Sequence, residues 1–145
     1  MMRLKYLFEN DTLAETMLDR WEHEGEPAFW RASANMVYRC EKDGKACYLR
    51  ISPNEERELD QIEAELTYVQ YLGGEGYPAV QPIPSKAGNM VEAVETGEGV
   101  CYGVLFEGAP GISLGQTAVD ADAVYQWGRH LGWLHRLAMA YRSTG

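Results

Sequence analysis

The sequence predicts an α+β domain in which an antiparallel sheet carries one inserted helix and a further helix closes the chain. Three observations carry this. Asp43-Gly44 lies between two runs of alternating side chains, MVYRCEK and KACYLRI. Directly after them the apolar spacing changes to a helical period, at Leu59, Ile62, Leu66 and Val69. Last, beyond a connector rich in Gly and Pro, DADAVYQWGRHLGWLHRLAMAY reads as a long amphipathic helix.

Taken in order, strand-like LKYLF comes first. NDTLAETMLDRW then offers Thr12 as an N-cap with Glu15 three residues on, followed by Leu13, Met17 and Trp21 at i, i+4 and i+8, which predicts a short helix. EGEPAFWRASANMVYRC is aromatic and β-branched except at the small polar ASAN, giving strand, loop, strand. Asp43-Gly44 suits a turn that needs positive φ at its centre. In the strand that follows, Cys47, Leu49 and Ile51 share one face and Tyr48 and Arg50 the other, so Arg50 leaves the core face.

Ser52 as cap, Pro53 at the first helical position and Glu55 completing S-x-x-E predict the start of the inserted helix, and Gly73-Gly74 its stop. At about 100° per residue, Glu65 falls beside Ile62 and Val69, with Glu58 on the same flank. GYPAVQPIPSKAGN reads as loop, NMVEAVE and GVCYGVLFE as a second hairpin joined by TGEG, and EGAPGISLGQT as irregular chain. Asp120 and Asp122 sit where a negative charge suits the dipole of the closing helix. That helix has one stripe at Val124, Trp127, Leu131, Leu134, Ala138 and Tyr141 and a second at Trp133, Leu137 and Ala140, more apolar surface than a stand-alone small domain needs.

Composition narrows the function classes. A net charge of -9 repels phosphate backbones and anionic headgroups, so neither nucleic acid nor a membrane is expected as partner. A few local cations and backbone N–H groups can still hold a nucleotide. With 46% hydrophobic residues and no low-complexity tract, the 145 residues suit one folded core. Cys40, Cys47 and Cys101 form no C-x-x-C pair and have no closely spaced histidines, which favours buried thiols in a reducing compartment over a disulfide with one spare thiol. The N-terminus has too short an apolar run for a signal peptide and nothing nears a membrane span, so the expected address is the cytoplasm. His130 and His135, at i and i+5, lie about 140° apart on a helix and do not share a metal ion. His23, in the charged run RWEHEGE, reads as solvated.

The succession of hairpin, cation-bearing strand, carboxylate-bearing helix, two strands and Gly/Pro connector resembles the small lobe of protein-kinase-like enzymes. SANMVYR, YLRIS, EAELTYVQYL, VLFEGAPG and HLGWLHRL together resemble the aminoglycoside phosphotransferase and choline kinase family, from about Trp30 onward. The resemblance implies a nucleotide-binding lobe over residues 1–106, a hinge over 107–117 and, over 118–145, the first helix of a large lobe. It places Ser33, Ala34 and Asn35 over the ATP phosphates, where small side chains let backbone N–H groups approach phosphate oxygens, although no G-x-G-x-x-G is present; read alone, the stretch is an ordinary polar turn. It places Arg50 on the α- and β-phosphates and Glu65 as the carboxylate that directs it, with Glu58 the lesser candidate. Arg in place of Lys keeps the charge but presents a planar fork. Phe106 falls at the back of the base pocket, the Glu107 carbonyl accepts from the base, and the Ala109 N–H donates to it. Read alone, Gly108, Pro110 and Gly111 mark a linker.

In that family the catalytic Asp and the magnesium ligands lie in H-G-D-x-x-x-x-N and D-x-D motifs after a helix like HLGWLHRLAMAYR. The sequence stops before either, and Asp120 and Asp122 read as capping, so no catalytic residue and no metal ligand is expected in this chain. The implied function is transfer of the γ-phosphoryl group of ATP or GTP, with magnesium, to a hydroxyl of an amino sugar, amino alcohol or related metabolite. By itself the chain would be an inactive fragment that associates with copies of itself through the closing helix. Two readings from other classes stay open: a nucleotide-sensing or protein-interaction domain without phosphoryl transfer, and a plain structural domain.

Overall fold

The computed structural model describes residues 11–110 and 119–142, so LKYLF and most of the expected hinge lie outside the described residues. Among the described residues nine elements follow one another: α1 (Asp11–Leu18), β1 (Glu24–Ala32), β2 (Met36–Lys42), β3 (Lys45–Pro53), α2 (Leu59–Gly74), β4 (Pro82–Ile83), β5 (Glu92–Thr96), β6 (Gly99–Glu107) and α3 (Ala121–Ala140). The strands form one antiparallel sheet ordered β1-β2-β3-β6-β4, with β5 also paired to β6. This is the α+β architecture that the sequence predicts. Among the described residues no helix is long and apolar enough to cross a membrane.

The hairpin turn forms as its chemistry requires: Asp43 has φ 54° and Gly44 φ 74°, and Lys42 faces Lys45 across it. Strand alternation then decides the layers. Cys47, Leu49 and Ile51 of β3 join Met36, Tyr38 and Cys40 of β2 on the face covered by Leu13, Ala14, Met17 and Leu18 of α1, with Trp21 just beyond that helix. The Trp21 indole N–H donates to the Ile83 carbonyl at 2.7 Å, which satisfies its one buried polar group. Gly103 of β6 admits α1 closely, since a Cβ there would stand 2.6 Å from Met17. The opposite face receives α2, whose Ile62 and Leu66 pack on Val104. All three cysteines are free and buried, Cys40 directly opposite Cys47.

Two features differ from the sequence expectation, the start of the inserted helix and a short extra strand. Ser52 does not cap a helix: β3 continues through Ser52 and Pro53, paired with Tyr102 and Cys101, and the Asn54 N–H still reaches the Val100 carbonyl at 3.0 Å. Sheet pairing outcompetes the local S-x-x-E signal. The helix starts at Leu59 instead, with Glu58 as N-cap and its N–H donating to Gln61 Oε1 at 2.9 Å. The helix does end at Gly74, within the expected Gly73-Gly74 pair, although neither of these glycines makes the closing turn. The end is a Schellman motif in which Gly76, at φ 84°, lets the N–H groups of Gly76 and Tyr77 return to the carbonyls of Gly73 and Leu72. Finally, the Pro-rich stretch contains a short strand, β4, which the absence of any alternating run concealed.

At the far end, α3 is capped as expected, Asp120 Oδ1 accepting the Ala123 N–H at 2.8 Å. It rests on α2 and the turn after it through an aromatic cluster: Tyr141 stands 4.9 Å from both Tyr68 and Tyr71, and Trp133 stands 5.0 Å from Tyr77. The Tyr71 hydroxyl donates to the Leu137 carbonyl at 2.8 Å. His130 lies at the cluster's edge, bonded to the Gln126 carbonyl. His23, expected to be solvated, is instead only 18% exposed at its side chain and held between Asp19 Oδ1 and the Gly25 carbonyl. The helix before it and the strand after it enclose the ring.

Candidate functional site

The face of β3 that turns away from α1 opens into a cavity of about 680 Å³ beneath α2. Tyr48 and Arg50 reach it because they alternate with the buried Cys47, Leu49 and Ile51. Pairing of β3 with β6 sets Phe106 opposite Tyr48, and the Arg50 guanidinium lies over the Phe106 ring, Cζ to centroid 5.1 Å. Glu65 enters from α2, on the flank predicted from helical spacing. Arg50 Nη1 donates to Glu65 Oε2 at 2.8 Å.

A second guanidinium completes the group. Arg57 Nη1 donates to Glu65 Oε1 at 2.8 Å, so one carboxylate is shared between two cations. Partial burial alone would push the Glu65 carboxyl pKa up; the hydrogen bonds and charges of Arg50 and Arg57 outweigh it and hold the group below the usual carboxylate range. Glu65 is therefore ionised at neutral pH. The Arg50 side chain is 18% exposed, yet its Nε and Nη2 atoms are buried and have no hydrogen-bond partner among the described residues. Buried cationic donors without acceptors are costly, and an anion in the cavity would satisfy them.

The connector supplies a backbone edge. The Glu107 N–H is committed to the Gln81 carbonyl and the Gly108 N–H to that of Ala46. A Cβ on Gly108 would stand 2.7 Å from the Ala46 carbonyl oxygen, so glycine alone lets the chain leave the sheet here. Ala109 is the next N–H along, and both Glu107 and Ala109 line the cavity. Trp30 and Tyr48 make an aromatic wall, their rings edge to face at 5.7 Å, with Val37 and Val80 adding apolar surface.

The structure thus brings Arg50, Glu65, Phe106, Glu107 and Ala109 to one cavity. It does not bring Ser33, Ala34 and Asn35 to the lining; their flanking residues Arg31 and Val37 are there instead. Those three residues form the turn between β1 and β2. The Ser33 N–H is taken by the Asn35 carbonyl at 2.9 Å, and the Asn35 side chain accepts from Ser52 Oγ at 2.8 Å, which ties the turn to the end of β3. Glu58 serves as the α2 cap. Alternation puts Tyr48 on Arg50's face without assigning it a role. Arg57 escapes sequence reasoning because the local signals place the helix start too early: its position depends on β3 ending at Pro53 and α2 beginning at Leu59. Among the described residues, no group of three His, Cys, Asp or Glu side chains is arranged to hold a metal ion.

Comparison with known proteins places the fold and the family. Amicoumacin kinase of Bacillus subtilis is 29% identical over 139 residues, covering 95% of this chain and 41% of that protein. An uncharacterised Synechocystis protein is 27% identical over 117 residues, 80% of this chain and 32% of the relative. Among solved structures, an amicoumacin kinase in complex with AMP-PNP, Ca2+ and Ami superposes with a TM-score of 0.82 at 21% identity, covering 98% of this chain and 43% of that one. A microcompartment-associated aminopropanol kinase gives 0.71 at 21% identity, over 86% and 39%. The chain spans about two fifths of the length of amicoumacin kinase and of the two solved structures, and about a third of the Synechocystis protein. Residues 27–144 match the phosphotransferase enzyme family, and the chain belongs to that family.

Proposed function

We propose that this chain is the nucleotide-binding lobe of an ATP-dependent small-molecule kinase, which passes the γ-phosphoryl group to a hydroxyl of an amino sugar, amino alcohol or related metabolite. The observation that carries the reading is Arg50, whose two buried nitrogens have no partner among the described residues, in the wall of a cavity also lined by Glu107 and Ala109 of the connector. Arg50 binds the phosphates electrostatically and Glu65 fixes its direction. The base lies against Phe106, Tyr48 and Val37 and is read by the Glu107 carbonyl and the Ala109 N–H. Ser33–Asn35 contribute at the phosphate end through the Ala34 N–H and the Ser33 hydroxyl.

On this reading residues 1–106 are the nucleotide lobe, 107–117 the hinge, and 118–145 open a second lobe. The acceptor pocket, the Asp that orients the acceptor hydroxyl and the ligands of magnesium belong to that second lobe. Similarity to amicoumacin kinase and aminopropanol kinase points to amine-bearing alcohols as acceptors.

Calorimetric titration with Mg-ATP, Mg-GTP and adenosine tests the site. Arg50→Ala is expected to weaken Mg-ATP binding by about ten- to a hundredfold, the loss of one or two charge-assisted hydrogen bonds, and to leave adenosine unaffected. Nucleotide binding that ignores the substitution would remove the phosphate role. Phosphoryl transfer to amino-alcohol acceptors by the longer protein separates a kinase from a domain that only senses nucleotide.

A further inference from the structure

Arg57 does not line the cavity, yet it holds half of the carboxylate that does. An arginine and a carboxylate left to themselves favour a two-pronged fork, with two parallel hydrogen bonds. Here Glu65 departs from that arrangement. It gives Oε2 to Arg50 at 2.8 Å and Oε1 to Arg57 at 2.8 Å, with Arg57 Nη1 also 3.4 Å from Oε2, so Arg50 is engaged through Nη1 alone. The nitrogens this frees on Arg50, Nε and Nη2, are the two that lack a partner among the described residues. Arg57 is anchored for this purpose by the turn that ends β3, its N–H donating to the Pro53 carbonyl at 3.1 Å.

We propose that Arg57 is a positioning residue that holds Glu65 off the Arg50 fork and offsets its charge, so that Arg50 keeps two donors and a net positive charge for the phosphates. The proposal rests on the nucleotide-binding reading of the cavity. Charge counting shows why it matters. Two guanidinium groups and one carboxylate leave the cluster at +1, in a chain whose overall charge of -9 opposes any anion. Without Arg57 the cluster is neutral, and the carboxylate can swing onto Arg50 and occupy the donors meant for the ligand.

Four variants of the full chain test this, namely Arg57→Gln, Arg57→Lys, Glu65→Gln and Arg57→Gln combined with Glu65→Gln, each titrated with Mg-ATP and with adenosine. Arg57→Gln is expected to weaken Mg-ATP binding about tenfold without changing adenosine binding, and Arg57→Lys to recover part of the loss. In the Glu65→Gln background, the same Arg57 change is expected to cost at most about twofold, because nothing remains to be held away. An equal loss in both backgrounds would show that Arg57 touches the phosphates itself. An equal loss for Mg-ATP and adenosine would show a purely structural role, and either result overturns the proposal.

Nitrogen-15 NMR of the arginine side chains adds a readout that needs no nucleotide. The Arg50 Nε–H resonance is expected to move in Arg57→Gln protein as Glu65 closes onto it. A resonance that stays in place overturns the Arg57 proposal whether or not nucleotide binds. Wild-type protein that prefers Mg-ATP no more than adenosine overturns the phosphate reading of the cavity instead, and with it the purpose assigned to Arg57.

Discussion

At the residue scale, Glu65 is the point on which the site turns, and its titration can be used to watch it. Its folded pKa lies below the value of about 4.3 expected in the unfolded chain, because the two guanidinium groups overcome the cost of burial. Where the folded pKa is the lower one, the unfolded state binds more protons as pH falls, so the ionised cluster stabilises the fold above the unfolded value and is lost as pH drops through the folded one. The difference in melting temperature between wild type and Glu65→Gln is therefore expected to hold steady from neutral pH to about pH 5 and to shrink below about pH 4. A difference that stays the same from pH 5 down through pH 3, followed by circular dichroism, would mean that the carboxylate has the same pKa folded and unfolded and that the two arginines do not hold it. Two members of this cluster could be read from the sequence: alternation at Cys47–Ile51 turns Arg50 outward, helical spacing sets Glu65 beside Ile62 and Val69, and the family resemblance pairs the two. Arg57 could not, since its place is set by how far β3 stays paired with β6, a tertiary quantity that no local motif reports.

At the element scale, the start of α2 shows how a local signal can be genuine in type and wrong in place. Ser52, Pro53 and Glu55 satisfy every rule for a helix start, but each residue of β3 that stays paired with β6 keeps a cross-strand contact, and Ser52 has its own partner in Asn35. At the other end, three glycines stand within four residues and only one performs the stop. Gly76 has φ 84°, where a side chain is strained, whereas Gly74 is helical and a Cβ added there would meet no atom within 4 Å. Gly73 makes room for Gln81, whose amide donates to the carbonyls of Val69 and Ala79 at 3.0 and 3.1 Å. Gly76→Ala is thus expected to destabilise the fold by about 1 kcal/mol, and Gly74→Ala to stabilise it by several tenths up to about 1 kcal/mol. Urea denaturation midpoints that move the same way for both would contradict the assignment of the left-handed residue. The sequence identifies a helix of this phase and this apolar stripe. Which glycine ends it depends on where Tyr77 and Gln81 pack afterwards.

At the scale of the whole molecule, the closing helix has two apolar stripes and the fold uses mainly one. Trp133 and Leu137 of the second stripe, with Tyr141 from the end of the first, face the tyrosines of α2 and its following turn, while Val124, Trp127 and Leu131 of the first are 55%, 47% and 53% exposed. Sequence periodicity finds both stripes but cannot rank them, because the aromatic partners Tyr68, Tyr71 and Tyr77 come from far along the chain. Apolar surface of this kind on the outside of a folded domain is expected to act as a contact site, and for the 145-residue chain by itself the partner at hand is another copy. The purified chain is expected to associate with itself as concentration rises, and Leu131→Glu to return it to monomer with an unchanged circular dichroism spectrum. Salt supplies the discriminating test. Copies that each carry a charge of -9 repel one another over roughly the 10 Å screening length of 0.1 M salt, so an apolar contact should tighten as salt is added, whereas one built from ion pairs should loosen. Sedimentation velocity showing a monomer at every concentration and salt level would mean that the stripe on α3 is too small or too divided to hold a partner.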